Sequence, residues 1–410
     1  MKILENKCVS HVKGFRAVGI ASGIKHNGNK DLCLVYSEVP AVSAATFTTN
    51  IVKAAPVVLN SKHIESNNTQ ALIINSGNAN SCTGSQGYDD AVNMANITAE
   101  ALGILPEETL VYSTGVIGVP LDMSVVSEGI HSAATFLKEE WTKDIVDDYA
   151  IDAIMTTDTF PKKVAVEIEL DGKIVTVFGM AKGSGMIHPN MATMLSYVMT
   201  DAAITKTLLE KIHRESIDRS LNMVSVDGDT STNDTATILA NGAAGNRLID
   251  SEDSDYSTLK EAIDFIHESL AKLIAKDGEG ATKLIEVNLV NASSIDNARK
   301  CARTVITSSL VKTAMFASDV NWGRVLCAMG YSGASFDPLK VDLSFSSDTG
   351  SIQVFKDGSP LPLDEELAYY ILDRNEIVIE IDLHDGNCNA KAWGCDLTYD
   401  YVKINGEYRT

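Results

Sequence analysis

Positive charge is what this sequence lacks most. Lysine and arginine number 34 against 55 aspartate and glutamate residues, which gives a formal net charge of −21 at pH 7. The field of such a chain repels the phosphates of nucleic acids and of anionic lipids. The composition therefore argues against nucleic acid or an anionic membrane as a partner, whereas a small anionic substrate needs only a local lysine or a helix N-terminus.

Long apolar runs are also missing. No stretch approaches the length that a membrane-spanning helix needs, and residues 1–10 carry charges without the apolar segment of a signal peptide. With 410 residues, of which 45% are hydrophobic and 22% charged, the chain can form a folded core of two or three lobes. We expect a soluble, globular, cytoplasmic protein.

Cysteines with metal-ligand spacing are absent. The seven cysteines are scattered, no two form a Cys-x-x-Cys pair, and no histidines stand at zinc-like spacing. The pattern indicates reduced thiols and no metal site. Cys82 could serve as a nucleophile, although an incidental thiol is the more common role for such a residue.

Short apolar runs bounded by turn residues favour strands, and longer runs of helical period lie between them. Strands are predicted at residues 32–37, 44–47, 56–59, 71–75, 109–113, 163–170, 173–178, 223–226, 284–289, 340–345, 352–355 and 376–383. Helices are predicted at residues 88–101, 123–138, 144–154, 206–221, 259–276, 295–316 and 363–372. Asp171 and Gly172 separate two of these strands and predict a two-residue hairpin turn.

The stretch 179–200 has the composition of a tight junction between two apolar runs. Three glycines and Pro189 precede the second run. Glycine permits backbone angles that other residues avoid and proline fixes one of them, so the loop can be held in a strained conformation. Thr193 lies just past this loop and is the candidate nucleophile.

A threonine hydroxyl is a poor nucleophile unless a base lies beside it. Attack by the Thr193 hydroxyl on the carbonyl of Ala192 would give an ester, and hydrolysis would make Thr193 a new N-terminus. Its α-amine, with a reference pKa of about 7.7 to 8.0, would then be a general base beside its own hydroxyl. The residues alone leave open the common alternative, an Ala-Thr pair that simply enters a strand. His188 is a second candidate base, but the amine would make it unnecessary, and the adjacent Pro189 indicates a loop role.

A long motif favours self-cleavage before Thr193 over a purely structural Ala-Thr pair. Residues 182–195 read Lys-Gly-Ser-Gly-Met-Ile-His-Pro-Asn-Met-Ala-Thr-Met-Leu. The run strongly resembles the processing site of the ornithine acetyltransferase family of arginine biosynthesis, also called glutamate N-acetyltransferase or the ArgJ family. Similar blocks, in the family's order, extend from Gly14 to Thr410. The resemblance implies an α/β fold of layered helices and sheets of the self-processing ornithine acetyltransferase type (DmpA/ArgJ-like).

The same resemblance implies that the chain cuts itself. Cleavage between Ala192 and Thr193 gives an α chain of residues 1–192 and a β chain of residues 193–410. The two chains would remain associated, commonly as an α2β2 heterotetramer.

Thr114 and Gly115 are the candidate oxyanion hole. A tetrahedral intermediate carries negative charge on oxygen, and donors at a tight glycine turn are suited to stabilise it. Thr-Gly after a predicted strand is a weak signal by itself. The run Ser-Thr-Gly-Val-Ile-Gly at residues 113–118 resembles the family's oxyanion-hole segment, which implies this role for both residues.

Substrate-binding positions can be carried over in the same way. The resemblance implies that Thr156, Lys182, Thr193, Glu279, Asn405 and Thr410 bind substrate. Without it, Lys182 would be read as a solvated lysine and the last residues as a frayed tail. A lysine among glycines can instead hold a carboxylate as a point charge, and Glu279 between glycines can approach a substrate ammonium. The hydroxyl that contacts substrate could equally be that of Thr157 or Thr159.

Residues 227–234 read Asp-Gly-Asp-Thr-Ser-Thr-Asn-Asp, with the alternating oxygen-bearing side chains of a calcium loop. Thr232 stands where an EF-hand has glycine, and no glutamate occupies the twelfth position, so an EF-hand is not expected. We expect the segment to order the surroundings of the nucleophile by hydrogen bonds.

The activity that the resemblance implies is two-step acyl transfer, in which N-acetylornithine gives its acetyl group to Thr193 and glutamate then takes it. No cofactor is expected. The sequence has no recognisable CoA motif to decide whether acetyl-CoA is a second donor. One alternative is a self-processing N-terminal-nucleophile amidase or aminopeptidase, in which water is the acceptor. Another is a non-enzymatic small-anion-binding protein, which predicts an uncut chain.

Overall fold

The computed structural model describes residues 1–138, 143–188 and 194–407. The strands in these ranges are β1 (Lys2–Leu4), β2 (Phe15–Ile20), β3 (Leu32–Phe47), β4 (Thr69–Asn78), β5 (Thr109–Val116), β6 (Lys162–Leu170), β7 (Lys173–Lys182), β8 (Leu195–Thr200), β9 (Val224–Ser225), β10 (Thr235–Ala240), β11 (Leu284–Ala292), β12 (Asp342–Ser347), β13 (Gly350–Lys356), β14 (Ser359–Pro360), β15 (Glu376–Asp382) and β16 (Cys388–Cys395). The helices are α1 (Ala55–His63), α2 (Gly84–Leu102), α3 (Met123–Lys138), α4 (Lys143–Ile154), α5 (Lys206–Arg219), α6 (Ser254–Lys276), α7 (Ile295–Thr307), α8 (Ser309–Phe316), α9 (Trp322–Gly330), α10 (Glu365–Leu372) and α11 (Tyr399–Glu407).

A mixed sheet carries the candidate site. Counted over the described residues it has nine strands, in the order β1–β6–β7–β8–β10–β3–β4–β5, and β2 pairs with the first half of β3. Strand β7 runs antiparallel to β8, whereas β8 and β10 are parallel, as are β4 and β5. The ends of β5 and β7, the first residue of β8, the residue just after β4 and the residue just before β10 line the cavity described below.

Side chains of this sheet alternate between two cores, as the two-residue period of a strand requires. On β8, Leu195, Tyr197 and Met199 pack into a core that also holds residues of β3, β4, β5 and α4. Val198 points to the opposite face and packs with residues of α5 and α6. Burying each such large apolar side chain stabilises the fold by about 1.5–3 kcal/mol, so β8 is fixed from both sides.

A second sheet lies on the far side of α5 and α6. Within the described ranges it contains seven strands, ordered β14–β13–β12–β15–β11–β16–β9. Residues of β11, β12 and β15 belong to the same core as α6 and the outer face of β7. The prediction of an α/β fold of layered helices and sheets is confirmed.

The hairpin predicted at Asp171 and Gly172 is confirmed. It joins β6 to β7, and the two residues have φ angles of +51° and +71°. Positive φ at both central residues is the mark of the turn that matches the twist of paired strands. The hairpin sets the register of β7 and thereby the position of its last residue, Lys182.

Four predicted elements, in three parts of the chain, differ from the structure. Residues 56–59 were assigned to a strand, which is wrong: they lie in α1, whose first turn accepts Pro56 because a proline there costs no hydrogen bond. The strands at 32–37 and 44–47 are two parts of β3, which bends through a register shift. The long helix at 295–316 is broken at Ser308, whose backbone is extended and whose hydroxyl caps α8.

In the ranges listed above, no helix is both long enough and apolar enough to cross a membrane.

Candidate active site

Six residues predicted from sequence line the same cavity, which has a volume of about 110 Å³. They come from the end of β5, the loop after α4, the end of β7, the loop after α6 and helix α11. They are Thr114, Gly115, Thr156, Lys182, Glu279 and Asn405. The predicted cleavage residues Ala192 and Thr193 and the terminal Thr410 lie outside the described residues. Met194, the residue that follows Thr193 in the chain, lines the cavity.

No residue larger than glycine fits at position 115. Its φ is +133°, and a Cβ atom there would overlap the backbone of Gly77 on the neighbouring parallel strand β4. Gly77 itself has a φ of +100°. This close approach places the backbone of Thr114 and Gly115 at the cavity wall, where N–H groups are suited to a developing oxyanion.

Lys182 is the last residue of β7 and is 8% exposed. Burial lowers the pKa of its ammonium group, and the negative charges of Asp158, Asp234 and Glu279 oppose that effect. The resulting site has a buried lysine at the wall of a small cavity lined by both polar and apolar residues. Such a point charge is suited to bind a carboxylate.

The loop after α4 resolves part of the ambiguity among three threonines. Thr156 and Thr157 both line the cavity. The Thr159 hydroxyl instead donates a hydrogen bond to the carboxylate of Asp277. Two hydroxyls of the predicted segment can therefore reach a ligand, whereas Thr159 has a structural partner.

Glu279 and Asn405 lie against each other on the opposite wall. The Asn405 side-chain nitrogen donates to Oε2 of Glu279 at 2.8 Å. A Cβ atom at position 185 would overlap the Glu279 carboxylate, so Gly185 allows that group to reach the cavity. The carboxylate and the amide oxygen together provide acceptors for a substrate ammonium.

The segment 227–234 orders this region by hydrogen bonds. The Asp227 carboxylate accepts from the backbone N–H groups of Met186, at 2.6 Å, and Ile187, at 2.9 Å. The Asn233 side chain donates to the carbonyl of Ala79 at 2.6 Å and to that of Ser113 at 2.8 Å. In the parts of the chain that the structure describes, no group of three or more metal-ligating side chains is suited to hold a metal ion.

Asp234 is a cavity residue that the sequence reasoning did not single out. It is 3% exposed and lines the cavity with Ser231 and Asn233. Burial raises its pKa well above the usual range, although hydrogen bonds from Ser231 and the charge of Lys182 act in the opposite direction. Its Oδ2 atom has no hydrogen-bond partner among the described residues. The alternating acidic pattern of 227–234 contained this residue, but nothing in the pattern distinguishes it from Asp227.

His188 does not have the surroundings of a general base for this cavity. Its Nδ1 lies 3.1 Å from the Ser225 hydroxyl, and its Nε2 lies 3.1 Å from a guanidinium nitrogen of Arg303. Burial and the Arg303 charge lower its pKa to about 4. The imidazole is therefore neutral and held by two partners, in keeping with the predicted loop role. Cys82 is exposed and is not among the residues that line the cavity.

Comparisons with known proteins show the family to which the chain belongs. A sequence model of the ArgJ family matches residues 16–410. A protein of Clostridium acetobutylicum named arginine biosynthesis bifunctional protein ArgJ 1 is 57% identical over 411 residues, which cover 100% of this chain and 99% of that protein. The ArgJ protein of Caldanaerobacter subterraneus subsp. tengcongensis is 52% identical and covers 100% of both chains.

A solved structure is also similar. The crystal structure of the arginine biosynthesis bifunctional protein ArgJ of Bacillus halodurans is 42% identical to this chain, with a TM-score of 0.50. The match covers 53% of this chain and 100% of the Bacillus chain. With a family match over nearly the whole length and relatives above 50% identity, this chain belongs to the ArgJ family and is an acyltransferase of arginine biosynthesis.

Proposed function

We propose that the protein is a glutamate N-acetyltransferase that moves an acetyl group from N2-acetyl-L-ornithine to L-glutamate through an acetyl-Thr193 intermediate. The observation that carries the proposal is the convergence of Thr114, Gly115, Lys182 and Glu279 on a cavity beside Met194. Because Met194 is bonded to Thr193, cleavage before Thr193 would deliver a hydroxyl and an amine to the start of β8. The names of the relatives as arginine biosynthesis proteins support the same chemistry.

The first event in this account is self-cleavage. The Thr193 hydroxyl attacks the carbonyl carbon of Ala192, the peptide bond breaks as an ester forms, and water hydrolyses the ester. The products are the carboxylate of Ala192 and the free amine of Thr193.

Acetyl transfer to the enzyme follows. The α-amine of Thr193 takes the hydroxyl proton as the oxygen attacks the acetyl carbonyl of the donor. Negative charge forms on the carbonyl oxygen, and Thr114 and Gly115 stabilise it. The intermediate collapses, the proton passes to the leaving nitrogen, and ornithine leaves.

The second half-reaction is the reverse with another amine. Glutamate enters the same cavity, its amine attacks the acetyl ester of Thr193, and N-acetylglutamate leaves as the Thr193 hydroxyl is restored. If both substrates bind at one site, the same residues of the enzyme must contact groups that the two substrates have in common. Each substrate has an α-carboxylate for Lys182, while Glu279 and Asn405 match the ammonium of ornithine.

The relatives are named bifunctional without a statement of the second reaction, and we propose acetyl-CoA as a second donor for this enzyme. It would acetylate glutamate without ornithine. No resident cofactor or metal takes part in either route of the proposed reaction. The two halves of the cut chain are proposed to stay together, two copies of each.

Acyl transfer and hydrolysis can be separated in one experiment. The purified protein is given N2-acetylornithine labelled in the acetyl group, with or without glutamate, and products are followed by mass spectrometry. The proposal expects labelled N-acetylglutamate and ornithine in equal amounts, and little free acetate when glutamate is present. Labelled acetate at the same rate with and without glutamate would instead identify an amidase that uses water. Labelled N-acetylglutamate formed from labelled acetyl-CoA and glutamate, without N2-acetylornithine, would demonstrate the second activity.

A further inference from the structure

A buried charge cluster lies directly behind the candidate site. Asp158, Lys162 and Asp277 have side-chain exposures of 0%, 0% and 2%. The Lys162 ammonium lies 2.6 Å from Oδ1 of Asp158 and 2.5 Å from Oδ2 of Asp277. Two carboxylates thus share one ammonium in a water-poor region. Removing charges from water costs free energy unless the charges are paired. This cluster contains two carboxylates and one ammonium, so its formal charge is −1.

Asp158 also ties together two segments of the cavity wall. Its Oδ2 accepts a hydrogen bond from the Thr156 backbone N–H at 2.9 Å, and its Oδ1 accepts one from the Gly183 backbone N–H at 2.7 Å. Gly183 follows Lys182 in the chain. The carboxylate therefore fixes the loop that presents Thr156 and the end of β7 that presents Lys182.

The charge of Lys182 depends on the groups that face it. Burial lowers its pKa, Asp158 has the largest effect in the opposite direction, Lys162 lowers the pKa again, and Asp234 and Glu279 raise it. Burial also raises the pKa of Asp234 itself. Asp158 is thus the carboxylate that most favours the charged form of Lys182.

One further charged group completes these surroundings. Lys25 interacts with both Lys182 and Asp158, and burial lowers its pKa. Its ammonium is held by the carbonyls of Lys30, at 2.9 Å, and Met155, at 2.7 Å. Asp158 remains ionised among all these groups, because burial raises its pKa but Lys182 and Lys162 lower it to about 2.

We propose that Asp158 is a positioning residue of the acyltransferase, which keeps the Lys182 ammonium charged and aimed into the cavity so that Lys182 can bind the α-carboxylate of the acyl donor. This inference rests on the proposed function, since it assumes that Lys182 binds that carboxylate. Asp158 acts through Lys182 and need not touch the substrate. Its removal should therefore change recognition of the carboxylate more than the chemistry at the acetyl group.

The test uses the pH dependence of kcat/KM, measured with two donors. One is N2-acetylornithine, and the other is the same amide without its α-carboxylate, N-acetyl-1,4-diaminobutane. Loss of activity at high pH with the first donor reports deprotonation of Lys182. Asp158→Asn keeps the shape of the side chain but removes its charge, so the alkaline limb should move down by about one pH unit or more. For the donor without a carboxylate, kcat/KM should change far less.

A second variant should shift the alkaline limb of the pH profile in the opposite direction. Lys162→Met removes a positive charge that lowers the pKa of Lys182, so the alkaline limb should move to higher pH. A general disturbance of the fold would move both variants in the same direction. If one variant does not fold, as judged by thermal unfolding, the other decides, because each has its own predicted direction.

Asp201→Asn is the matched control. Asp201 is 3% exposed and accepts hydrogen bonds from the backbone N–H groups of Thr176, at 2.8 Å, and Lys13, at 3.2 Å. Thr176 lies about 20 Å from Lys182 along β7, at 3.3 Å per residue. This buried carboxylate is hydrogen-bonded to β7 but does not line the cavity, and its loss should leave the alkaline limb in place.

The outcomes are distinguishable. An alkaline limb that stays unchanged in Asp158→Asn, or an equal loss with both donors, would overturn the role of Asp158. If the wild-type protein does not transfer acetyl groups from N2-acetylornithine at all, the proposed function fails instead.

Discussion

The Asn405 side-chain nitrogen donates a hydrogen bond to the Glu279 carboxylate at 2.8 Å, joining the last helix of the chain to the loop that follows α6. The helix and loop also touch through their backbones. A Cβ atom at Gly280 would overlap the backbone at Asp400 and Tyr401. Helix α11 is therefore part of the cavity wall.

Replacement of Asn405 should weaken substrate binding. Asn405→Ala removes an exposed hydrogen bond that holds the Glu279 carboxylate, which is worth about 0.5–1.5 kcal/mol, so kcat/KM should fall roughly 2- to 10-fold, mainly through KM. Steady-state kinetics with N2-acetylornithine checks this. Val402→Ala on the same helix is the control, since Val402 is 69% exposed and should tolerate the change. Equal kinetics for the two variants would contradict the role of Asn405.

Gly115→Ala should reduce turnover sharply. The added methyl group overlaps the Gly77 backbone and must push β5 away from β4. A displacement of about 1 Å at a catalytic group can cost on the order of 100-fold in rate. The matched control is Gly103→Ala, because Gly103 also has a positive φ, +76°, but no atom lies within 4 Å of the added group. Turnover in Gly115→Ala close to that of Gly103→Ala would argue against the oxyanion role.

Much of this site could be predicted because its residues lie in long motifs. The run at 182–195 and the Ser-Thr-Gly run at 113–118 pointed to Lys182, Thr114 and Gly115, and the structure places all three on one cavity. Periodicity alone found β6 and β7 because a hairpin turn marks their ends. It also found α6 with an end point at Lys276.

What the sequence could not predict depends on contacts between distant segments. Asp158 was one polar residue in a run of hydroxyls, and its importance follows from Lys162, Gly183 and Lys182 meeting it in space. Strand β10 was missed because it is buried on both faces and its short run, Thr235–Ala240, shows no alternation. Residues 56–59 were misassigned because a short apolar run fits either a strand or a helix.

The fold should lose stability in mild acid because of two buried histidines. His213 and His267 are 1% and 0% exposed, and their rings lie 5.5 Å apart between α5 and α6. Burial lowers the pKa of His213 to about 4, and burial together with His213 lowers that of His267 well below its usual value. Both are therefore neutral in the folded protein.

The direction of the stability change follows from the lowered pKa values of the two histidines in the folded protein. The unfolded chain binds protons at these histidines below about pH 6.5 and the folded protein does not, so stability is present above that pH and is lost as the pH falls toward 4. Burial of His213 should cost about 2 kcal/mol between pH 7 and 5, and His267 should add to the loss in the same direction. Urea unfolding at both pH values measures this. His267→Gln should reduce the pH dependence, whereas His131→Gln, at an exposed position, should not.

Variants of the nucleophile should separate processing from turnover. Thr193→Ala has no hydroxyl and should remain one chain without transferase activity. Thr193→Ser keeps a hydroxyl and should be cut, with slower turnover. Denaturing gels and the acetyl-transfer assay check both properties. A cut or active Thr193→Ala protein would remove Thr193 from the mechanism.

The central claim is that the chain activates its own nucleophile by cutting the peptide bond before Thr193. Intact mass spectrometry of the purified wild-type protein, with N-terminal sequencing of each chain found, tests it most directly. The account predicts two chains, residues 1–192 and 193–410, the second beginning with Thr193. A single full-length chain that still transfers acetyl groups from N2-acetylornithine to glutamate would contradict it, because the Thr193 amine could not then be the base.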